Sequence, residues 1–197
     1  MKKEIHYITG NSGKFKEVQR FIYNYNFSSI VSSFVLRQVN IEEIYEIQSL
    51  DQKKIALHKA QQAWHLLKKP LILDDSGIYF NKYFNFPGTL TKFVYDGIGL
   101  EGLLKLVVAG DRATFRLLLV YIDREGLYKV FEGQCEGTIV IPNKILAHPQ
   151  LPYDDIFLPD EAKKTYAEMR GHTEFDGYFY RLRAVKKFLE WYYQNQL

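Results

Sequence analysis

The sequence predicts a mixed α/β sheet with flanking helices, on three observations. Ile5–Ile8 is a short apolar run that breaks into the loop Thr9–Lys14, and a helical pattern starts straight afterwards. Leu71-Ile72-Leu73 is a continuous apolar run directly after a helix-length segment ended by Pro70, the pattern of a strand buried in a largely parallel sheet. Arg112–Ile122 and Leu127–Ile141 alternate with period two around Asp123-Arg124-Glu125-Gly126, which reads as a long hairpin. A mixture of β-α units and a hairpin points to a mixed sheet and away from a purely parallel one.

The remaining elements follow from periodicity and capping chemistry. Lys14–Tyr23 is expected to be helical, with Phe15, Val18, Phe21 and Ile22 on one face. Ile30–Val39 is β-branched and apolar and is expected as the second strand. Ser49 with Gln52 three residues on resembles a capping box, opening a helix to about Lys69 whose buried stripe is Ala56, Ala60, Ala63, Trp64 and Leu67. A helix from about Gly99 to Ala109 precedes the hairpin, and another runs from about Tyr180 to Tyr193.

Composition narrows the class. The 197 residues suit one domain, 1–197, and 47% hydrophobic residues supply a full core. A net charge of +3, with both signs interspersed, argues against a nucleic-acid polymer or a membrane face as partner. No apolar run approaches the length of a membrane span and no signal peptide precedes Ile5, so a cytoplasmic protein is expected. A single cysteine, Cys135, excludes an internal disulfide and a cysteine metal cluster, and His6, His58, His65 and His148 lack ligand spacing.

Two places carry chemistry. In Thr9-Gly10-Asn11-Ser12-Gly13-Lys14, the glycines are expected to let the backbone turn tightly so that its N–H groups face an anion. The next helix adds its positive end, and Lys14 adds a point charge. Two residues separate Gly10 from Gly13-Lys14 where a P-loop has four, so the alternative is an ordinary strand–turn–helix corner with a solvated lysine. Asp74-Asp75-Ser76-Gly77 stands at the expected carboxyl end of the buried strand, where open α/β sheets bind ligands. Adjacent strand residues point to opposite faces, so at most one aspartate faces the ligand. A carboxylate beside phosphates calls for a bridging cation such as Mg²⁺; otherwise the segment is a helix cap or turn. Glu46, in an acidic stretch that is otherwise a solvated edge, is the candidate second carboxylate.

Taken in order, these segments resemble the Ham1-type inosine triphosphate pyrophosphatases over nearly the whole chain. Thr9-Gly10-Asn11-x-x-Lys14-x-x-Glu17 is similar to the family's opening T-x-N-x-x-K-x-x-E, and Glu46-Ile47-Gln48 to its E-I-Q. Leu73–Gly77 resembles its E-D-S-G with Asp for the first Glu, and Phe86–Val94 its F-P-G-x-x-S-K-F. Tyr153–Pro159 and Lys164–Met169 resemble its Y-D-x-I-F-x-P and K-T-x-A-E-M.

The resemblance implies an elongated sheet with two lobes around a nucleotide cleft, a homodimer, and Mg²⁺-dependent hydrolysis of aberrant purine nucleoside triphosphates to monophosphate and pyrophosphate. It implies Thr9, Gly10, Asn11, Ser12, Gly13 and Lys14 as triphosphate ligands. Glu46 and Asp75 become metal ligands, with Asp75 also orienting or deprotonating water. Ser76 contacts substrate, and Tyr153 with Asp154 lines the nucleoside pocket.

Two departures fall on the base side. Leu151 stands where the family places an aromatic residue. The family's S-H-R-x-x-A is altered to Phe179-Tyr180-Arg181-Leu182-Arg183-Ala184, which leaves Arg181 as the candidate ligand and Arg183 and His172 as rivals. Altered base preference is therefore expected. The alternatives are a nucleotide-binding sensor without turnover and a pyrophosphatase acting on modified pyrimidine nucleotides.

Overall fold

A computed structural model describes residues 3–29, 34–84, 86–146 and 151–195. Its elements are β1 (Glu4–Ile8), α1 (Ser12–Ser29), β2 (Val35–Val39), α2 (Gln52–Leu67), β3 (Leu71–Phe80), β4 (Phe86–Pro87), α3 (Thr91–Leu106), β5 (Arg112–Ile122), β6 (Tyr128–Ile139), β7 (Phe157–Pro159), α4 (Tyr166–Met169) and α5 (Tyr180–Gln194). The strands form one mixed sheet in the order β2-β1-β3-β5-β6-β7, with β4 paired to β3. Among the described residues no helix is long and apolar enough to cross a membrane. The chain divides into two compact units, one of Met1–Asp75, Leu117–Gly133 and Arg181–Leu197, the other of Ser76–Arg116 and Gln134–Tyr180.

In the first unit β1 pairs in parallel with both β2 and β3, placing Ile8 opposite Val39 and Leu73. The alternation of β5 separates two cores. Leu118, Val120 and Ile122 join Ile8, Leu71 and Leu73 against Ala56, Ala60 and Ala63 of α2, and the small alanines let the helix lie close to the sheet. Tyr121 points the other way, with its ring centroid 5.4 Å from Phe188 and 5.9 Å from Tyr192 of α5. The expected α2 stripe is thus present, its alanines fully buried.

In the second unit β7 pairs antiparallel with β6, Thr138 opposite Leu158, and β4 antiparallel with the end of β3. Phe115 stacks on Tyr180 at 4.8 Å and meets Phe157 edge-on at 4.8 Å, forming an aromatic core. At Gly77 a Cβ would lie 2.2 Å from the Gly88 carbonyl oxygen, so only glycine permits this approach.

Several expectations need correction. The α2 cap is Asp51, not Ser49: its carboxylate accepts from the Lys53 and Lys54 N–H groups, while Ser49 Oγ accepts from Asp51 N. β3 does not stop at Leu73 but runs through both aspartates to Phe80, so they lie inside the strand. What ends at Leu73 is its pairing with β1, and Asp74 is the first residue beyond it. α1 extends past Tyr23 because no Pro or Gly interrupts it, and Tyr25 stacks on Tyr193 at 6.2 Å. α3 begins at Thr91, eight residues before the expected start; its first half leaves Phe93 and Ile98 exposed and lacks a buried stripe, and Gly99 (φ 62°) breaks the helix where periodicity placed the start. Neither Gly10 nor Gly13 has a positive φ: Gly13 belongs to α1, and a Cβ on Gly10 would sit 2.9 Å from Asn40 Oδ1. Residues 30–33 of the expected second strand, and His148-Pro149-Gln150, lie outside the described residues.

Candidate active site

The loop after β1 is held by its own short side chains. Asn11 N donates to Thr9 Oγ1 at 3.1 Å, and Asn11 Oδ1 accepts from Lys14 N at 3.0 Å, capping α1. Gln38 Nε2 donates to the Thr9 carbonyl at 3.0 Å, tying the loop to β2. Ser12 and Gly13 are exposed at the start of α1, and Lys14 points from its first turn.

Lys14 Nζ meets Asp74 Oδ1 at 2.9 Å. Asp74 Oδ2 accepts from Tyr7 OH at 2.8 Å and from Arg181 Nε at 2.9 Å, while Arg181 Nη1 reaches Glu17 Oε2 at 2.8 Å. Burial alone would push the Asp74 carboxyl up, but the Lys14 and Arg181 charges outweigh it and hold it well below the usual carboxylate range. Arg181 is 1% exposed, unlike the surface arginine common on an amphipathic helix, whereas Arg183 is exposed.

Asp75 points to the opposite face, as the pleat requires. Lys59 Nζ, from α2, lies 2.6 Å from Glu46 Oε2 and 3.2 Å from Asp75 Oδ1. Gln52 Nε2 donates to the Asp75 carbonyl at 3.0 Å. Burial raises the Asp75 carboxyl and the Glu46 charge adds to this, with Lys59 and Lys14 opposing; the balance is upward. The structure therefore brings Glu46 and Asp75 together on one cation and gives Asp74 and Asp75 opposite acidities. Among the described residues no group of three or more His, Cys, Asp or Glu is placed to hold a metal ion. Two carboxylates still fit Mg²⁺, which keeps waters and takes substrate oxygens.

In the second unit, Tyr153 is buried and donates to the Thr91 carbonyl at 2.8 Å, with the Tyr95 ring 5.9 Å away. Asp154 is buried and takes Arg170 Nε at 2.6 Å. Leu151 is half-buried, its carbonyl accepting from Asp154 N at 3.1 Å. Ser76 is half-buried on β3. His172 is largely exposed, 3.6 Å from Glu174.

Residues 5–191 match the model of the Ham1 family. The chain belongs to that family. It is 36% identical over 185 residues to a dITP/XTP pyrophosphatase of Saccharolobus solfataricus, covering 93% of this chain and 90% of that one. It is 32% identical over 174 residues to an inosine triphosphate pyrophosphatase of Kluyveromyces lactis, covering 85% of each. The fold is also that of the Staphylococcus aureus Ham1 protein, with a TM-score of 0.70 at 23% identity, covering 99% of this chain and all of that one.

Within this Ham1-family chain, Lys59 is a site residue that was not among the expected ones, although it lies in Lys53–Ala63, which resembles the family's K-A-containing helix. It shares the α2 stripe with Gln52, Ala56, Ala60 and Ala63, and a lysine among buried alanines needs a partner. Glu17, the last residue of the opening motif, holds Arg181, and Thr91 links Ile78 N, the Gly88 carbonyl and Tyr153.

Proposed function

We propose that this chain hydrolyses nucleoside triphosphates between the α- and β-phosphates, releasing the monophosphate and pyrophosphate. The observation that carries the reading is the divergence of the two aspartates. Asp74 is a fixed anion beside Lys14, and Asp75 is a carboxylate of raised proton affinity sharing a cation with Glu46. Two neighbouring carboxyls driven apart in this way suit one structural and one proton-accepting role.

Thr9, Gly10, Asn11, Ser12, Gly13 and Lys14 hold the triphosphate, Lys14 supplying charge where the leaving pyrophosphate builds it up. Glu46 and Asp75 would hold Mg²⁺, which when bound neutralises phosphate oxygens. Asp75 orients the attacking water and accepts its proton. Ser76 is proposed for substrate contact, and Leu151, Tyr153 and Asp154 for the nucleoside, from the family blocks they belong to. Leu151 offers a base an apolar face without π-stacking, so base preference differs from that of a protein with an aromatic residue there. We place the enzyme in the cytoplasm as a homodimer cleaning the nucleotide pool.

Purified protein with Mg²⁺, offered standard and deaminated nucleoside triphosphates, should release pyrophosphate from at least one deaminated purine triphosphate. Nucleotide binding without release would favour the sensor reading instead, and release of orthophosphate alone would remove the α–β assignment.

A further inference from the structure

We propose that Arg181 is a positioning residue that acts through Asp74 on Lys14, governing phosphate affinity and leaving base choice untouched. The inference rests on Lys14 being a triphosphate ligand.

The geometry assigns this role in three steps. Asp74 Oδ2 takes two donors, Tyr7 OH at 2.8 Å and Arg181 Nε at 2.9 Å, which fixes the carboxylate and leaves Oδ1 to receive Lys14 Nζ at 2.9 Å. Arg181 is held from its other side by Glu17, which stands three residues after Lys14 on α1. The helix that presents Lys14 thus also anchors the group that aims it. The side chains of Asp74 and Arg181 are each 2% exposed, whereas that of Lys14 is 21% exposed, so the network ends at Lys14 on its solvent side.

Charge explains why the arrangement needs Arg181. With Lys14 as its sole counter-charge, the buried Asp74 would bind that ammonium strongly and hold it away from phosphate. Arg181 shares the negative charge, and Glu17 balances Arg181. Nε and Nη1 of Arg181 are taken by carboxylates and its side chain is 2% exposed, so a base edge would reach the guanidinium only by opening the surrounding packing.

Arg181→Lys and Tyr7→Phe test the inference, with inorganic tripolyphosphate as the binding probe. Each should weaken tripolyphosphate binding, Arg181→Lys by about 10–100-fold, the scale on which outer-shell partners act on the group they orient. Ratios of kcat/KM among inosine, xanthosine, guanosine and adenosine triphosphates should stay within about 2-fold of the parent, because sites without shared contacts add independently. In a double-mutant cycle, Arg181→Lys should add nothing once Lys14→Met is present. The Lys14 ammonium resonance in ¹⁵N-resolved spectra should move in both variants, a readout needing no turnover.

Changed base ratios with unchanged tripolyphosphate affinity would overturn the proposal and make Arg181 a base reader. Additive losses, or an unmoved Lys14 resonance, would also overturn it. If Arg181→Lys does not fold, Tyr7→Phe carries the same measurements. Absence of hydrolysis by the parent protein would instead count against the proposed function, with the binding cycle and the resonance still deciding the role of Arg181.

Discussion

At Asp74 and Asp75 the pleat of one strand turns two chemically identical carboxylates to opposite faces, where their surroundings drive their acidities apart. Lys14 and Arg181 secure the charge of the first, and burial beside Glu46 raises the second despite Lys59. As pH falls, Asp75 therefore takes up its proton above the value near 3.9 of an unperturbed aspartate, while Asp74 remains ionised. This holds for the metal-free protein, because a bound Mg²⁺ beside Asp75 would favour the carboxylate. A carboxyl ¹³C NMR titration without Mg²⁺ checks this, and an Asp75 midpoint at or below the ordinary aspartate value would contradict it. The sequence marked Asp75 through its motif. It did not reveal the role of Arg181, because its partners Asp74 and Glu17 lie 107 and 164 residues away in the chain.

Elements with a clear period were legible. The β5–β6 hairpin and α5 lie within two residues of their expected limits, and the α2 alanine stripe is where spacing placed it. β4, β7 and α4 are too short to show a period, and the first half of α3 lacks a buried stripe. β3 was cut short for a different reason. Its charged residues look like a strand end until Lys14, Arg181 and Lys59 are brought to them by folding. Beyond them, Gly77 admits the Gly88 carbonyl. Gly77→Ala should cost about 1–3 kcal/mol as an overpacking change with no room to relax. Urea unfolding measures this, and an unchanged midpoint would show that the Gly88 turn moves aside freely.

For the molecule as a whole, six sequence blocks in order carried the family resemblance, and the match over residues 5–191 agrees with it. The phosphate side of the proposed site lies in the first unit, where Thr9–Lys14, Glu46 and Asp75 come from segments close in sequence to recognisable motifs. The base side is less readable because Leu151, Phe179 and Tyr180 depart from the family pattern. The central claim is that Asp75 accepts the proton of a water cleaving between the α- and β-phosphates. It is tested most directly by ³¹P NMR of the deaminated purine triphosphate best hydrolysed by the parent protein, with Mg²⁺, comparing parent and Asp75→Asn. The account predicts equal amounts of monophosphate and pyrophosphate from the parent, and a rate lower by about 10²–10⁴-fold or more in the variant. Orthophosphate as the product, or an undiminished rate in Asp75→Asn, would contradict it.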